Sequence, residues 1–283
     1  VDLFKEHRKD IFMQRKTIPE LAGFQQAPWA NFGKVDNKGI DISATYDHQL
    51  TRDLALSFRG NFTFARNRIV EYDESDGIKN SPRSLTGHSL NKYYALIADG
   101  LFSFDDFEDP DRGILKEGIP QHTFGEVRPG DIKYVDVNED GRVDAFDMIP
   151  YGKPYIPEII YGFGVSTKYR KVDFSLFFQG TDSYSKMVNG NYFIPGSGGG
   201  GNGNIYANVD DRWTPENPSS DVFWPRLYNG SNSNNRLYST WWLKDAAFLR
   251  LKNLELGYTL PEKWQRNAMM RNADTTPATP MSH

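Results

Sequence analysis

The sequence predicts an all-β protein, an antiparallel transmembrane β-barrel portion with long extracellular loops. Three observations lead to this prediction. Several segments carry apolar side chains at every second position, aromatic residues make up 14% of the chain, and very short connections alternate with very long ones. Side chains alternate between the two faces of a strand, so each such strand has one face suited to hydrocarbon and one suited to water. This pattern is typical of an outer-membrane barrel.

The first half of the chain contains three predicted strands. The clearest runs from Leu54 to Phe64, where the even positions hold leucine, phenylalanine or glycine and the odd positions are mostly polar. Another covers Ile40 to Tyr46, and we interpret Asn37-Lys38-Gly39 as a breaker that precedes it. A further strand is predicted near Val1 to Met13, although its apolar residues do not keep one phase.

The second half contains a predicted hairpin and a final strand. The segments Ile160 to Tyr169 and Val172 to Phe178 both alternate, and only Arg170-Lys171 separates them. A two-residue connection is the length of a tight hairpin. The final strand runs from Leu249 to Tyr258 and changes phase at Lys252-Asn253, which we interpret as a β-bulge.

The lengths of the connections favour a barrel over a soluble domain. In an antiparallel arrangement the short connections, at His48 to Asp53, at Arg170-Lys171 and after Leu260, all fall on one edge. The long connections, at residues 14 to 36, 71 to 157 and 181 to 244, fall on the other. Outer-membrane barrels keep short turns in the periplasm and long loops outside.

Composition excludes several classes of protein. No apolar run approaches the ~20 residues of a spanning helix, and the mean hydropathy of -0.63 suits a barrel with a wet lumen. A net charge of -4 with scattered Lys and Arg argues against nucleic-acid binding. The absence of cysteine excludes disulfides and Cys-ligated zinc. The chain opens at Val1 without a signal segment, and we expect that truncation removed its natural start.

Motifs of catalysis are missing from the sequence. It contains no HExxH, G-x-S-x-G or Walker A pattern, and the glycine run Gly196 to Gly201 lacks the Lys that would hold a phosphate. The five histidines are dispersed and have no metal-binding spacing. We therefore expect a protein that is not an enzyme.

Residues 136 to 147 have the spacing of a calcium-binding loop. The predicted oxygen ligands are Asp136, Asn138, Asp140, the Arg142 carbonyl, Asp144 and Asp147. Gly141 stands where the loop must bend sharply, and Asp147 stands where an EF-hand has a longer glutamate. The residues on both sides of the loop have the pattern of extended chain and not of helices. We therefore expect a structural calcium site that stabilises the loop and not a calcium sensor. The alternative is a solvated acidic turn.

Two sets of side chains are candidates for contact with a transported molecule. Aromatic residues of the second long insert stack on sugars or meet a partner protein in one interpretation, and pack the loops in the other. They are Tyr206, Trp213, Trp224, Tyr228, Trp241 and Trp242. Polar residues on the strands either line a transport passage or only contact the water inside the barrel. The alternation of the strands is enough to account for the second interpretation. They are Asp41, Arg59, Asn61, Lys168, Asp173 and Gln179.

A series of short motifs resembles the C-terminal barrel half of the SusC/RagA family of TonB-dependent outer-membrane transporters. In chain order they are Asn37-Lys38-Gly39-Ile40-Asp41, Gly130-Asp131-Ile132-Lys133-Tyr134-Val135-Asp136, Tyr161-Gly162-Phe163-Gly164, Phe174-Ser175-Leu176-Phe177-Phe178-Gln179-Gly180, Trp213-Thr214-Pro215-Glu216-Asn217-Pro218, Leu249-Arg250-Leu251-Lys252-Asn253 and Leu256-Gly257-Tyr258-Thr259-Leu260-Pro261. They occur in the order of the family, and the resemblance covers the chain from Val1 to Trp264.

The resemblance implies part of a 22-stranded plugged barrel in the outer membrane of a Gram-negative bacterium. Members of the family import nutrients such as oligosaccharides or peptides. A SusD-like surface lipoprotein acts as their lid, and TonB, acting through the N-terminal part of the receptor, supplies energy. For this chain the implied surroundings are therefore the lipid bilayer, those two proteins and the substrate.

The end of the chain departs from the family pattern. We expect residues 1 to 264 to be a partial receptor barrel and residues 265 to 283 to be an aberrant or disordered tail, since strand alternation stops there. A second function class stays open at this point, a secreted calcium-stabilised soluble β domain that binds glycans. The barrel predicts an outward apolar band on the strands, whereas the soluble domain predicts that the same rows pack against one another.

Overall fold

The computed structural model consists almost entirely of strands and irregular loops. It describes residues 1–18, 26–190, 193–195, 205–228 and 232–261. In this described part, one α-helix is present, α1 (Asp76–Lys79), together with three single 3-10 turns. Among the same residues, no helix has the length and apolar content to cross a membrane. The glycine run and the tail at 265 to 283 lie outside the described residues.

Sixteen strands are present in the described part of the chain. In chain order they are β1 (Asp2–Gln14), β2 (Trp29–Thr51), β3 (Leu54–Glu71), β4 (Tyr93–Ala95), β5 (Ala98–Leu101), β6 (Phe107–Asp109), β7 (Ile114–Leu115), β8 (Gln121–His122), β9 (Ile132–Tyr134), β10 (Arg142–Val143), β11 (Ile149–Tyr151), β12 (Ile159–Tyr169), β13 (Val172–Asp182), β14 (Ser185–Met187), β15 (Leu243–Asp245) and β16 (Phe248–Tyr258). The 3-10 turns are Phe104–Asp106, Ala145–Asp147 and Asn234–Arg236.

The six long strands form one antiparallel sheet in the order β1-β2-β3-β12-β13-β16. The predicted hairpin between β12 and β13 is confirmed, and its turn is Arg170-Lys171. The turn between β2 and β3, Arg52-Asp53, lies at the same edge, because Arg170 N donates a hydrogen bond of 2.9 Å to Asp53 O. The first two predicted short connections therefore share one edge of the sheet, and Thr259 N, just after β16, donates a hydrogen bond of 2.7 Å to Lys171 O at the same edge. The predicted connection after Leu260 continues outside the described residues.

Strand β2 is longer than the sequence predicts. It begins at Trp29 and β1 ends at Gln14, so the expected connection of residues 14 to 36 is too long by nine residues. The interpretation of Asn37-Lys38-Gly39 as a breaker is wrong, since these residues pair with both β1 and β3. A Cβ added at Gly39 would lie 2.3 Å from the Phe4 ring, so the glycine makes room for that side chain inside the sheet.

Two irregularities in the alternation are bulges of the outer strands. The register between β1 and β2 shifts between Arg8 and Ile11, around Asp10 with a φ of 57°. A second shift, between Ile11 and Phe12, returns the pairing to its earlier register. The predicted bulge of β16 is confirmed, because Asn253 pairs with Phe177 and Leu251 with Phe178, which leaves Lys252 without a register partner.

Both clusters of buried apolar residues lie in the two inserts, and the buried Val35 and Ile69 of the sheet belong to neither cluster. We call the described residues between β3 and β12 and between β13 and β16 the loop assembly. Its main cluster joins both inserts, with Ile132, Tyr134 and Val143 from the first and Trp224 and Trp242 from the second. A smaller cluster, Phe102, Phe107, Leu115 and Val127, belongs to the first insert. The short strands β4 to β11, β14 and β15 pair within this assembly.

Candidate functional site

One face of the six-stranded sheet is apolar and exposed. Cross-strand neighbours on this face include Phe58 with Val165, Gly60 with Phe163 and Leu176 with Leu254. The Phe58 and Phe163 side chains are each 47% exposed and Leu254 is 61% exposed. No residue of this face belongs to either buried cluster among the described residues. The rows that alternate in the sequence thus form one exposed apolar surface, on which neighbours such as Phe163 and Phe178 stack side by side with their ring centroids 5.3 Å apart.

The opposite face carries the predicted polar residues. Thr63 Oγ1 donates a hydrogen bond of 3.1 Å to Asp41, and Arg250 Nη2 lies 3.4 Å from Gln179 Oε1. Lys168 and Asp173 are register partners and help line a wide depression on this face. Sequence patterning therefore places all of these side chains on the correct side of the sheet.

Phe177 is an exception to the alternation, and its contacts with Arg59 and two glycines explain its position. Phe177 is an aromatic residue on the polar face, and Arg59 Cζ lies 4.8 Å from its ring centroid. The ring covers Gly162 and Gly164, where an added Cβ would come within 2.8 Å of it. Two glycines in β12 thus create the space in which an aromatic side chain lies flat on an otherwise polar surface.

A buried polar network centred on Asp131 holds the loop assembly together. Arg226 donates two hydrogen bonds to this carboxylate, at 3.1 and 2.9 Å, and Asn232 and Asn235 each donate one at 2.9 Å. Asp131 has no exposed surface, so these donors replace the water that the carboxylate loses. The network joins the first insert to the second across about a hundred residues of sequence.

His122 and Tyr134 extend the network through Asn234. His122 Nδ1 lies 2.9 Å from Asn234 Oδ1, and the Tyr134 hydroxyl donates a hydrogen bond of 2.7 Å to Asn234 O. Burial lowers the pKa of His122, and its hydrogen bond with Asn234 opposes that shift. Burial also raises the pKa of the Tyr134 hydroxyl. Both side chains are therefore neutral parts of the packed core at neutral pH.

Sequence reasoning did not single out this network. Asp131 stands within one of the motifs that carry the family resemblance, which is the one signal that pointed to it. The asparagines occupy the stretch Ser231-Asn232-Ser233-Asn234-Asn235, whose composition is typical of an exposed polar loop. In the structure Asn234 and Asn235 are 0% and 3% exposed.

The six aromatic candidates of the second insert separate into two groups. Trp213, Trp224 and Trp242 are at most 4% exposed and belong to the main core cluster, which favours the loop-packing interpretation for them. Tyr206 and Tyr228 are 36% and 48% exposed. Tyr206 stacks on Trp224 at 6.1 Å, and Tyr228 lies under the Arg226 guanidinium. Trp241 is half-buried and donates a hydrogen bond to Phe223 O. A contact role for the six stays a prediction.

The predicted calcium loop forms a turn with internal hydrogen bonds. The Asp136 carboxylate accepts from Asp140 N and Gly141 N, Asn138 Oδ1 accepts from Asp140 N, and Asp140 Oδ1 accepts from Arg142 N. Asp147 is fully buried and accepts from Val137 N and Asp144 N. Gly141, with a φ of 83°, makes the sharp bend that its position predicts.

The donor types of this loop fit calcium, but their present arrangement does not. Among the described residues, no group of three or more His, Cys, Asp and Glu side chains is arranged to hold a metal ion. Side-chain rotation of Asp136, Asn138 and Asp140 would have to turn their oxygens toward a common centre. The calcium assignment, with Arg142 and Asp144 as further ligands, therefore stays a prediction.

Buried carboxylates attach the loop assembly to the strand ends. Glu158, at 8% exposure, accepts from Arg66 of β3 at 2.7 Å and from Ser183 at 3.0 Å. Asp73 forms an ion pair with Arg15 Nε at 3.0 Å and accepts from Thr17. Burial by itself raises the pKa of Asp73, but Arg15, Lys16 and Thr17 together hold that pKa well below its usual range.

Known proteins of similar sequence include TonB-dependent receptors. The chain is 28% identical over 257 residues to the TonB-dependent receptor P26 of Formosa agariphila, which covers 87% of this chain and 24% of the relative. It is 21% identical over 267 residues to the TonB-dependent receptor SusC of Bacteroides thetaiotaomicron, covering 91% of this chain and 24% of the relative. The resemblance to SusC/RagA-type TonB-dependent receptors is confirmed. No protein-family model matches the chain.

Solved structures of the SusC/RagA type share the fold of this chain. The RagAB peptide transporter matches with a TM-score of 0.60 and 21% identity, over 96% of this chain and 27% of the transporter chain. The RagAB peptide importer in its open-open state matches with a TM-score of 0.58 and 20% identity, over 93% and 26% of the two chains. The chain thus spans about a quarter of the length of the relatives it matches. Their names describe receptors and transporters, which agrees with the expectation of a non-enzyme.

The motifs that carry the SusC/RagA resemblance have structural roles in the loop assembly. Gly130 has a φ of 86°, and a Cβ there would lie 2.3 Å from the Trp213 ring, so the glycine allows a tryptophan of the other insert to pack against the backbone. Asp131 then binds Arg226, and Tyr134 binds Asn234. The motif therefore fixes the packing of one insert on the other.

Proposed function

We propose that this chain forms part of the wall and outer loops of a TonB-dependent transporter in the outer membrane of a Gram-negative bacterium. The exposed apolar face of the sheet carries this proposal. A soluble protein rarely leaves so large a continuous apolar surface in water, whereas in a bilayer the same surface is solvated by lipid. The secreted soluble domain is therefore the weaker alternative.

The dimensions of the strands support the membrane assignment. Strand β12 has 11 residues, which at ~3.3 Å per residue gives about 36 Å. At a tilt of ~45° this length spans about 25 Å of bilayer, the height of the apolar band of outer-membrane barrels. The short turns, at one edge, would face the periplasm, and the loop assembly would face outward.

The relatives and neighbours suggest the cargo and partners. We propose import of nutrients such as oligosaccharides or peptides, and the RagAB neighbours, named as a peptide importer, support the peptide class. A SusD-like surface lipoprotein would cover the loop assembly, and TonB would act through the part of the receptor that precedes these strands. The residues that would line the passage lie on the polar face, and its charged members include Asp41, Arg59, Lys168 and Asp173.

A pair of arginine substitutions on neighbouring residues tests the membrane assignment. Phe58→Arg places a charge on the apolar face, which costs roughly 2–4 kcal/mol near the bilayer midplane. Ser57→Arg places the same charge on the polar face and is the matched control. We expect the Phe58→Arg protein to be depleted from the outer-membrane fraction of producing cells and the Ser57→Arg protein to remain there. If both variants were depleted equally, or if neither were depleted, the result would contradict the proposal that the apolar face contacts lipid.

Calcium is proposed as a structural ion of the loop at residues 136 to 147. Bound there, it would neutralise Asp136 and Asp140, which lie in one turn because the Asp140 backbone N–H donates a hydrogen bond to the Asp136 carboxylate. The test adds calcium or a chelator to the protein and follows thermal unfolding of the loop assembly by tryptophan fluorescence. Calcium should raise the melting temperature of the parent and not that of Asp140→Asn. A melting temperature that is independent of calcium would favour the solvated acidic turn.

A further inference from the structure

A row of three cationic side chains lies at the border of the apolar face. Lys5, Lys38 and Arg66 are direct cross-strand neighbours on β1, β2 and β3. The preceding row on the same face consists of Leu3, Ile40 and Phe64, which are apolar. The cations therefore occupy the first position beyond the apolar surface, at the edge that carries the loop assembly.

The geometry keeps the charges at this border. Arg66 Cζ lies 5.3 Å from the centroid of the Phe64 ring, so the guanidinium rests on the last apolar side chain. All three cationic residues are exposed. Long basic side chains at such a position lay their apolar stems along the hydrocarbon and extend the charged group to the headgroups.

The local charge of the row is positive and unbalanced. Glu158 pairs with Arg66, and the next row outward has its carboxylate, Asp36, bound to His7. Among the described residues, neither Lys5 nor Lys38 has a carboxylate at ion-pair distance. Like charges directly opposite each other on neighbouring strands destabilise a sheet, so this arrangement gains stability from an anion placed between them.

We propose that this row binds the phosphate-bearing headgroup of a lipid in the outer leaflet. Adjacent strands are ~4.8 Å apart, so the three Cα atoms span about 10 Å, a distance that one or two phosphate groups bridge. The acyl chains of that lipid would lie on Leu3, Ile40 and Phe64 and continue along the apolar face. The inference rests on the proposed membrane position of the sheet and adds a headgroup preference to it.

The test measures which lipid the intact protein retains. The protein, as produced in its host, is transferred to phosphatidylcholine nanodiscs that contain either lipid A with its phosphates or chemically dephosphorylated lipid A. Native mass spectrometry then counts the retained glycolipid. Lys5→Gln with Lys38→Gln removes the unpaired cations and leaves the Arg66–Glu158 pair intact. Arg52→Gln with Lys171→Gln removes two cations from the opposite edge and is the matched control.

The amount of lipid A that each variant retains decides whether the row binds a phosphate-bearing headgroup. We expect the parent and the control to retain phosphorylated lipid A, and the Lys5/Lys38 variant to retain about thirty-fold less, the loss estimated for two basic residues at an anionic surface. Equal retention by both variants, equal retention of the dephosphorylated lipid, or displacement by millimolar inorganic phosphate would overturn it. If the parent does not enter nanodiscs at all, the proposed membrane function fails as well. If every variant enters but none prefers phosphate, the headgroup inference alone fails.

Discussion

Asp131 and Arg226 form a two-point ion pair that joins the two inserts of the loop assembly. Arg226 Nε lies 3.1 Å from Asp131 Oδ1, and Arg226 Nη2 lies 2.9 Å from Asp131 Oδ2. The carboxylate is fully buried, and two asparagine amides complete its hydrogen bonds. Because the two residues stand 95 positions apart, their contact sets how one insert packs on the other.

Asp131→Asn should destabilise the loop assembly by about 3 kcal/mol, because removal of one partner leaves a largely buried guanidinium without its counter-charge. The measurement is thermal unfolding followed by the fluorescence of the buried tryptophans. Asp111→Asn, at an exposed position of the same insert, is the control and should change stability by less than ~0.5 kcal/mol. Similar melting curves for the two variants would mean that the network contributes little.

Gly130→Ala and Gly118→Ala separate backbone strain from steric contact. Both glycines have positive φ, 86° and 88°, so both substitutions strain the backbone by about 1 kcal/mol. Only at Gly130 would the new methyl group meet the Trp213 ring, whereas nothing lies within 4 Å at Gly118. Thermal unfolding should therefore show a clearly larger loss for Gly130→Ala. Equal losses would show that Trp213 moves aside at no cost.

The sheet was predictable from the sequence because its signal is local. In a strand with one apolar and one polar face, the polarity of each residue indicates the face on which it lies. The alternating residues of β3, β12 and β13 therefore predict both the presence of the strand and its orientation without information on any contact. The errors lie where pairing overrides composition. The sequence around Gly39 predicts an interruption of the strand, but Gly39 pairs with strands on both sides and lies against the ring of Phe4.

The packing of the loop assembly was not predictable in the same way. Its core depends on contacts between residues about a hundred positions apart, such as Asp131 with Asn235 and Tyr134 with Asn234. Neither periodicity nor composition records such pairs. A stretch rich in Ser and Asn looks like solvent-exposed loop, and only its partners, a buried carboxylate and a buried hydroxyl, turn it into core.

His122 should make the loop assembly less stable in mild acid. Burial lowers its pKa, so the folded imidazole stays neutral at a pH where the unfolded chain already binds a proton. Stability is therefore expected to fall as the pH drops below ~6.5. Melting temperatures between pH 8 and 5 provide the measurement.

The matched variants for this pH dependence are His122→Gln and His48→Gln. His122→Gln should flatten the curve in part, because burial also lowers the pKa of His88, which contributes in the same direction. His48 is exposed on the sheet, so His48→Gln should keep the full dependence. An unchanged curve in His122→Gln would assign the acid sensitivity to other groups.

Asp73 should hold the segment after β1 against the end of β3. Its carboxylate binds Arg15 and Thr17 and is 3% exposed, and its pKa lies well below the usual range. A carboxyl that stays ionised in the folded state stabilises the folded state above pH ~4 and loses that contribution as the pH falls further.

Asp73→Asn should remove the ion pair at neutral pH. The hydrogen-exchange rates of the Lys16 and Thr17 backbone amides should then rise by roughly ten-fold or more. Asp76→Asn, at a fully exposed carboxylate nearby, should leave those rates unchanged. Unchanged exchange in Asp73→Asn would show that the pairing of β1 with β2 alone orders this segment.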